Sequence, residues 1–140
     1  RATDQRISIK IFFQDEMPRF QQLKVHLNFV FASGQPFGAP GSIEGRNMER
    51  MPDYRRADIG FTYKIVEDGK LYKKKGKITM PQNHPLKHFR NFGIRMEVFN
   101  LLDISNTISY LWISDINDQE YAVPNFLSPR LINFRITGKF

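Results

Sequence analysis

Few residues of this 140-residue chain form a pattern that could support chemistry. His84 and His88 are four residues apart, a spacing that would suit a metal ion on a helix, but Pro85 between them favours a loop. The chain has no cysteine, which excludes cysteine-based metal sites and disulfide bonds. We therefore predict no metal site and no cofactor.

The carboxylates that could serve acid–base catalysis are dispersed along the chain. Asp58, Glu97 and Asp103 belong to different predicted segments, and no serine or histidine is placed to suggest a nucleophile with its base. The sequence therefore predicts that the chain is not an enzyme.

Positive charge predominates, with 21 Lys and Arg against 14 Asp and Glu, a net charge of +7. Such a balance favours contact with an anionic surface, polymer or solute. The lysines at 73, 74, 75 and 77, beside Tyr72, could bind nucleic acid or anionic lipid headgroups, but they are also typical of a solvated loop. We adopt the loop interpretation and predict no nucleic-acid partner.

The elements that must position these residues show period-2 alternation of apolar and polar side chains. Each stretch is about ten residues long, the length with which a tilted strand crosses a membrane. No apolar run is long enough for a membrane-spanning helix. The alternation predicts an all-β, antiparallel chain with six strands, at residues 5–13, 21–31, 54–65, 91–99, 106–114 and 130–140. Loops are predicted at 33–52, 67–88 and 115–129, with a short turn at 101–105.

Strands with one apolar and one charged face fit two architectures. In a soluble sandwich or small barrel the apolar face points inward. In an outer-membrane barrel it meets lipid, and the charged face lines a polar lumen. The large aromatic residues and the strand length favour the second architecture. Its lumen-facing residues would be Lys10, Lys24, Arg56, Asp58, Lys64, Arg95, Glu97, Arg135 and Lys139.

Several motifs, in their order along the chain, are similar to those of one family. The stretch MEVFNLLD at 96–103 resembles the strand of TonB-dependent receptors that runs into a periplasmic turn beginning Asn-Leu. The stretch ISNTISYLW at 104–112 is similar to the version found in Bacteroidetes. Further similarities are YRRADIGF at 54–61 after Pro52, FFQD at 12–15, GQPFG at 34–38 and the terminal TGKF at 137–140.

This resemblance implies that residues 1–140 are the last six strands of a 22-stranded barrel in the bacterial outer membrane, without the plug domain and the earlier strands. It implies energy-coupled nutrient uptake by the parent protein. The implied partners are outer-membrane lipid and lipopolysaccharide, the protein's own plug and remaining strands, the barrel-assembly machinery, and TonB through the plug. The assembly signal would comprise Phe134, Ile136, Gly138 and Phe140.

The same resemblance predicts a topology. With the C-terminus in the periplasm, Pro18 and the loops 67–88 and 115–129 would be extracellular, and the connections 33–52 and 101–105 periplasmic. Tyr63, Tyr110 and Trp112 would belong either to an aromatic girdle at a membrane interface or to a soluble core.

The alternative function is a soluble all-β binding module, either a small barrel for an apolar ligand or a basic domain for an anionic polymer. The two hypotheses differ in where the apolar face lies. A lipid-facing band would be exposed and about 25 Å tall, whereas a soluble module would bury it.

Overall fold

The fold, obtained as a computed structural model, is described for residues 4–38, 49–73, 76–127 and 129–140. It is all-β with antiparallel sheets. In chain order the strands are β1 Ser8–Met17, β2 Phe20–Ala32, β3 Pro36–Phe37, β4 Glu49–Arg50, β5 Tyr54–Glu67, β6 Lys70–Lys73, β7 Gly76–Thr79, β8 Asn91–Phe99, β9 Thr107–Ser114, β10 Glu120–Phe126 and β11 Leu131–Lys139. A single-turn 3₁₀ helix covers Pro85–His88. Within these ranges, no helix has the length and apolar character needed to cross a membrane.

The main sheet contains five long strands in the order β1-β2-β5-β8-β11, and the β6–β7 hairpin extends it beyond the end of β5. Directly opposed residues share a face, so the register decides which side chains meet. Val25 lies opposite Phe61, and Phe61 lies opposite Met96, which in turn faces Phe134. The alternation seen in the sequence is therefore kept in phase across the sheet.

The sheet has two ends, the Pro18 end and the Asn100 end, each of which takes its name from a turn that it contains. At the Pro18 end, β1 turns into β2, and β5 turns into β6 through Asp68 and Gly69. Both of these residues have positive φ, 52° and 71°, which matches the twist of a two-residue hairpin. At the Asn100 end, β8 finishes in the turn that leads to β9.

The turn at the Asn100 end is fixed by asparagine side chains. The Asn106 amide accepts a hydrogen bond from the Arg55 N–H at 2.8 Å and donates one to the Arg55 carbonyl at 2.8 Å. It thus pairs with β5 as a strand residue would, beyond the point where β8 ends. Asn100 and Asn106 are both buried, at 4% and 3% exposure.

All six predicted segments contain strands, but the predicted loops contain strands as well. The interval 115–129 holds β10, which pairs with β9 from Glu120 opposite Ser114 onward. The interval 67–88 holds β6, β7 and the 3₁₀ turn. In the predicted loop 33–52, the pair β3–β4 is formed, and residues 39–48 lie outside the described residues.

The strand order and the position of the C-terminus also correct the predicted topology. β8 pairs with β11, whereas β9 pairs with β10 in a separate sheet. The Lys139 carbonyl accepts a hydrogen bond of 2.7 Å from the Arg90 N–H, so the chain finishes at the Pro18 end. The prediction that the C-terminus lies opposite that end is wrong because β10 adds one crossing that the prediction did not count.

The main sheet is a single layer with little core. Within the described part of the chain, glycine aside, the buried apolar residues are Ala32, Pro36, Val66 and Met80. The chain exposes 10592 Å². A compact monomer of this mass would expose roughly 7,600 Å². The outer edges of β1 and β11 have no strand partner among the described residues, so the sheet is not closed into a barrel. Phe134 and Ile136 are more than half exposed, so no second sheet covers them as in a sandwich.

The pairing of β8 with β11 can be tested by cysteine crosslinking. Ile94 and Ile136 are directly opposed, and such residues have Cβ atoms about 5 Å apart. With no native cysteine to compete, the double variant Ile94→Cys/Ile136→Cys should crosslink on oxidation in detergent micelles, read by mobility on a non-reducing gel. Crosslinking by the matched pair Ile94→Cys/Trp112→Cys instead would show that β9 is the neighbour of β8.

Candidate functional site

One face of the main sheet is almost entirely apolar and uncovered. It spans all five long strands and consists of Ile9, Ile11, Phe13, Leu23, Val25, Leu27, Phe29, Phe31, Ala57, Ile59, Phe61, Tyr63, Phe92, Ile94, Met96, Val98, Ile132, Phe134 and Ile136. Exposure reaches 52% at Phe13, 68% at Phe134 and 71% at Ile136. Soluble monomers rarely expose contiguous apolar surface on this scale.

The length of this apolar face can be measured along β2. Its apolar residues run from Leu23 to Phe31, and eight steps of about 3.3 Å give roughly 26 Å. A barrel that spans an outer membrane presents an apolar band about 25 Å tall. Because the strands of such barrels tilt by about 35–45°, this length corresponds to roughly 20 Å of height, which is somewhat less than the full band.

The opposite face is polar, and the register places all nine predicted lumen-facing residues on it. Lys10 and Arg56 both lie opposite Val30, and Thr62 lies opposite both Lys24 and Arg95. The remaining members join through the same pairings: Asp58, Lys64, Glu97, Arg135 and Lys139. The structure thus gathers these residues from five strands onto one surface.

Asp58 connects three parts of the polar face. Its carboxylate accepts hydrogen bonds from Arg56 Nε at 2.7 Å, Asn28 Nδ2 at 3.2 Å and the Asn100 N–H at 2.9 Å. These donors belong to β5, β2 and the turn after β8. A carboxylate held by three donors is fixed in orientation and is not available to bind a solute.

His26 reaches across β5 to pair with Glu97 on β8. Its Nε2 lies 3.4 Å from Glu97 Oε1, and Gly60 is the residue between them on β5. A Cβ at position 60 would lie 2.0 Å from His26 Nε2, so only glycine leaves room for the ring. Glu97 also accepts from Asn133 Nδ2 at 3.2 Å, which extends the chain of contacts to β11.

At the Pro18 end, Glu67 holds the β6–β7 hairpin against the sheet. Its carboxylate accepts from Lys64 at 2.6 Å, from the Tyr72 hydroxyl and from Lys77 at 2.7 Å. The bond to Glu67 raises the pKa of Lys77 above its ordinary value. Burial raises the pKa of Tyr72, and its bond to Glu67 acts in the same direction. Glu16, on β1, accepts from Lys24 at 3.1 Å and from Lys64 at 3.4 Å.

Three of the predicted lumen-facing residues remain outside this network. Lys10, Arg135 and Lys139 form no ion pair within the described ranges. Arg135 lies directly opposite Arg95, a like-charge pair that weakens the contact between β8 and β11. The face therefore combines satisfied ion pairs near its centre with unpaired positive charge toward its edges.

His84 and His88, which the sequence places four residues apart, lie at the two ends of the 3₁₀ turn. His84 caps the 3₁₀ turn by accepting from the Leu86 N–H at 3.2 Å, and His88 is the last residue of that turn. In the part of the chain that the structure describes, no three His, Asp or Glu residues group as metal ligands would.

The other predicted features are separated. In the lysine cluster, Lys77 is paired with Glu67, while residues 74 and 75 lie outside the described residues. Tyr63 is on the apolar face, whereas Tyr110 stacks on Phe37 with ring centroids 4.4 Å apart. Trp112 is on β9, away from the main sheet. Asp103 accepts from the Arg130 N–H at 2.9 Å and has a structural role in the turn.

The predicted assembly signal lies along β11 at the edge of the sheet. Phe134 and Ile136 point to the apolar face, and Phe140 stacks on Phe89 with centroids 4.7 Å apart. Gly138 allows this arrangement, because a Cβ there would lie 2.7 Å from the Phe89 ring.

Sequence reasoning missed the residues that organise the polar face. His26, Gly60 and Asn106 are not among the predicted site residues, and Asn100 is predicted only as the start of a turn, although all four carry contacts between strands. Two asparagines bracketing a short turn were a usable signal, since asparagine side chains bond to nearby backbone. The pairing of His26 with Glu97 depends on register and had no local signal.

No protein-family model, curated protein or solved structure matches this chain.

The fit of His26 over Gly60 gives a stability prediction. Gly60→Ala should lower the free energy of unfolding by about 1–3 kcal/mol, because the added methyl displaces the imidazole from Glu97. In a His26→Ala background the same substitution should cost much less. Denaturant unfolding of the four proteins in micelles measures this coupling, and equal losses in both backgrounds would contradict it.

Proposed function

We propose that this chain forms the C-terminal part of the wall of a TonB-dependent outer-membrane receptor, with its apolar face toward lipid and its polar face toward the lumen. The parent protein would take up a nutrient with energy delivered through a plug domain. The observation that carries the proposal is the uncovered apolar face, which spans five strands and approaches the height of a membrane band.

The open edges of the sheet support the same proposal. In hydrocarbon, an unpaired backbone N–H or C=O costs several kcal/mol, and only closure of a barrel pairs every strand. β1 and β11 each have one strand partner within the described residues. Further strands of the same protein, paired to both edges, would remove this cost.

The polar face is suited to a lumen or to contact with a plug. Its ion pairs link different strands, as with Lys24 and Glu16 or Lys64 and Glu16, and stiffen a wall that has no core behind it. The unpaired cations Lys10, Arg135 and Lys139 would be available to a plug or to passing solute. Such charges are costly on a lipid-facing surface but are tolerated in a lumen.

The alternative, a soluble binding module, requires a covered apolar face. A small barrel would have closed around it and a sandwich would have placed a second sheet on it. The main sheet has neither arrangement, and Phe134 and Ile136 remain more than half exposed. Lipid accounts for this surface more simply than a soluble ligand does.

Quenching by brominated lipid tests which face meets the membrane. In a Trp112→Phe background, Ile136→Trp places the reporter on the apolar face, and Thr137→Trp places it next along β11 on the polar face. After reconstitution into vesicles with brominated acyl chains, we expect strong quenching of the first tryptophan and little of the second. Equal quenching, or a detergent-free cooperative monomer, would favour the soluble module.

The proposed assembly signal has its own test. In the complete receptor produced in a Gram-negative host, Phe140→Ser should reduce the fraction inserted in the outer membrane, because the machinery would no longer find the terminal aromatic. Phe12→Ser, which alters an exposed aromatic on the polar face, is the matched control. Unchanged insertion of the Phe140 variant would remove this role.

A further inference from the structure

A cavity opens at the Pro18 end between the β1–β2 turn and the β6–β7 hairpin. It has a volume of about 280 Å³ and is lined by Pro18, Arg19, Phe20, Gln21, Gln22, Tyr72, Lys73 and Gly76. Ligand cavities begin at about this size, so it would hold one small molecule or one sugar unit. None of the interactions described above uses Arg19, Lys73 or either glutamine.

The cavity is positively charged without compensation. Arg19 and Lys73 contribute two cations, and neither is ion-paired within the ranges that the structure describes. None of the described lining residues is acidic. The lining Tyr72 donates to the carboxylate of Glu67, which is already paired with Lys64 and Lys77. The cavity therefore favours an anion.

The side chain of Gln22 offers an acceptor that a hydrogen-bond donor on a ligand would satisfy. Its Oε1 is the buried side-chain polar atom that lacks a partner among the described residues. An unsatisfied buried acceptor costs about 1–3 kcal/mol. A ligand hydroxyl that reached this amide would remove the penalty.

The walls of the cavity include two rings, Phe20 and Tyr72. Aromatic rings provide flat apolar surface on which the C–H face of a sugar or another ring can rest. The cavity therefore matches a ligand that has an anionic group, a hydroxyl donor and a ring. A hydroxylated ring that carries an oxyanion, such as a sugar phosphate or sulfate, has all three.

The cavity belongs to the polar side of the sheet. Gln22 alternates in phase with Lys24 and His26, which lie on the polar face. Tyr72 joins that face through Glu67 and its partner Lys64. In the proposed barrel this side is the lumen, and membrane lipid contacts the other side.

We propose that this cavity is a subsite at the mouth of the lumen for a sugar-sized oxyanion, with Arg19 and Lys73 binding the anionic group and Gln22 a ring hydroxyl. This assignment rests on the proposed function for its lumenal position, and it identifies the class of solute. A lipid-linked sugar phosphate has the same headgroup chemistry but would approach from the apolar side.

The experiment is a calorimetric titration of the whole chain, refolded in detergent micelles, with glucose 6-phosphate, glucose and inorganic phosphate. Glucose 6-phosphate should bind more tightly than either of its parts. Arg19→Gln or Lys73→Gln should weaken binding roughly tenfold or more, because each removes a charge-assisted hydrogen bond. Gln22→Leu should reduce the affinity for glucose 6-phosphate toward that for phosphate. Lys10→Gln, at the other end of the same face, is the matched control and should bind as the parent does.

Three outcomes would overturn the subsite. These are no binding of glucose 6-phosphate, binding unaffected by Arg19→Gln and Lys73→Gln, or an equal loss in the Lys10→Gln control. A lipid-linked sugar phosphate can also be incorporated in the micelle. If it binds and soluble glucose 6-phosphate does not, the ligand comes from the membrane, and the lumenal assignment is overturned.

Failure of the subsite is distinguishable from failure of the proposed function. The tryptophan quenching at positions 136 and 137 reports the lipid-facing surface and is independent of the cavity. Quenching on the apolar face without sugar-phosphate binding would overturn the subsite alone. Binding without selective quenching would leave a sugar-phosphate site on a protein that does not face lipid in the proposed way.

Discussion

The constraint on which this structure depends is that five strands keep one register of alternation. Each strand contributes one apolar and one polar side, and a slip of one residue would turn every side chain to the wrong face. The pairings prevent this, since Val25, Phe61, Met96 and Phe134 follow one another across four strands. The two faces exist because this phase is kept along the strands up to the register shifts near the Pro18 end, at Glu16/Met17 in β1 and at Lys64/Val66 in β5.

A sheet with no core behind it needs its cohesion from within. Backbone pairing supplies most of it, and the polar face adds contacts that cross from strand to strand. Asp58 gathers donors from β2, β5 and the following turn, and His26 extends over Gly60 to Glu97. Where β8 ends, the Asn106 side chain takes over its pairing with β5. Charged and amide side chains thus hold the strands together, as the apolar core does in a compact domain.

Much of the fold could be predicted from the sequence because alternation is a local signal. The six segments and the membership of the charged face follow from period 2 alone. β10 was missed because Pro124 lies within it and its alternation is weak. The sequence does not predict which strand pairs with β8 either. Both β9 and β11 alternate apolar and polar residues, so either strand could pair with β8 and keep its apolar residues on the apolar face. The predicted position of the C-terminus was wrong for the same reason, because the prediction did not count β10. Contacts such as His26 with Glu97 depend on three strands at once, which no local pattern encodes.

The β9–β10 hairpin has a consequence for evolution and for engineering. The chain leaves the main sheet at Asn100 and returns at Leu131, which lies directly opposite Phe99, so departure and return are adjacent in space. Residues added at the hairpin tip, around Asp115 to Gln119, would lengthen a free arm without shifting any pairing in the main sheet. This arm is therefore where the chain could acquire new length, or accept an inserted epitope, at little cost to the fold.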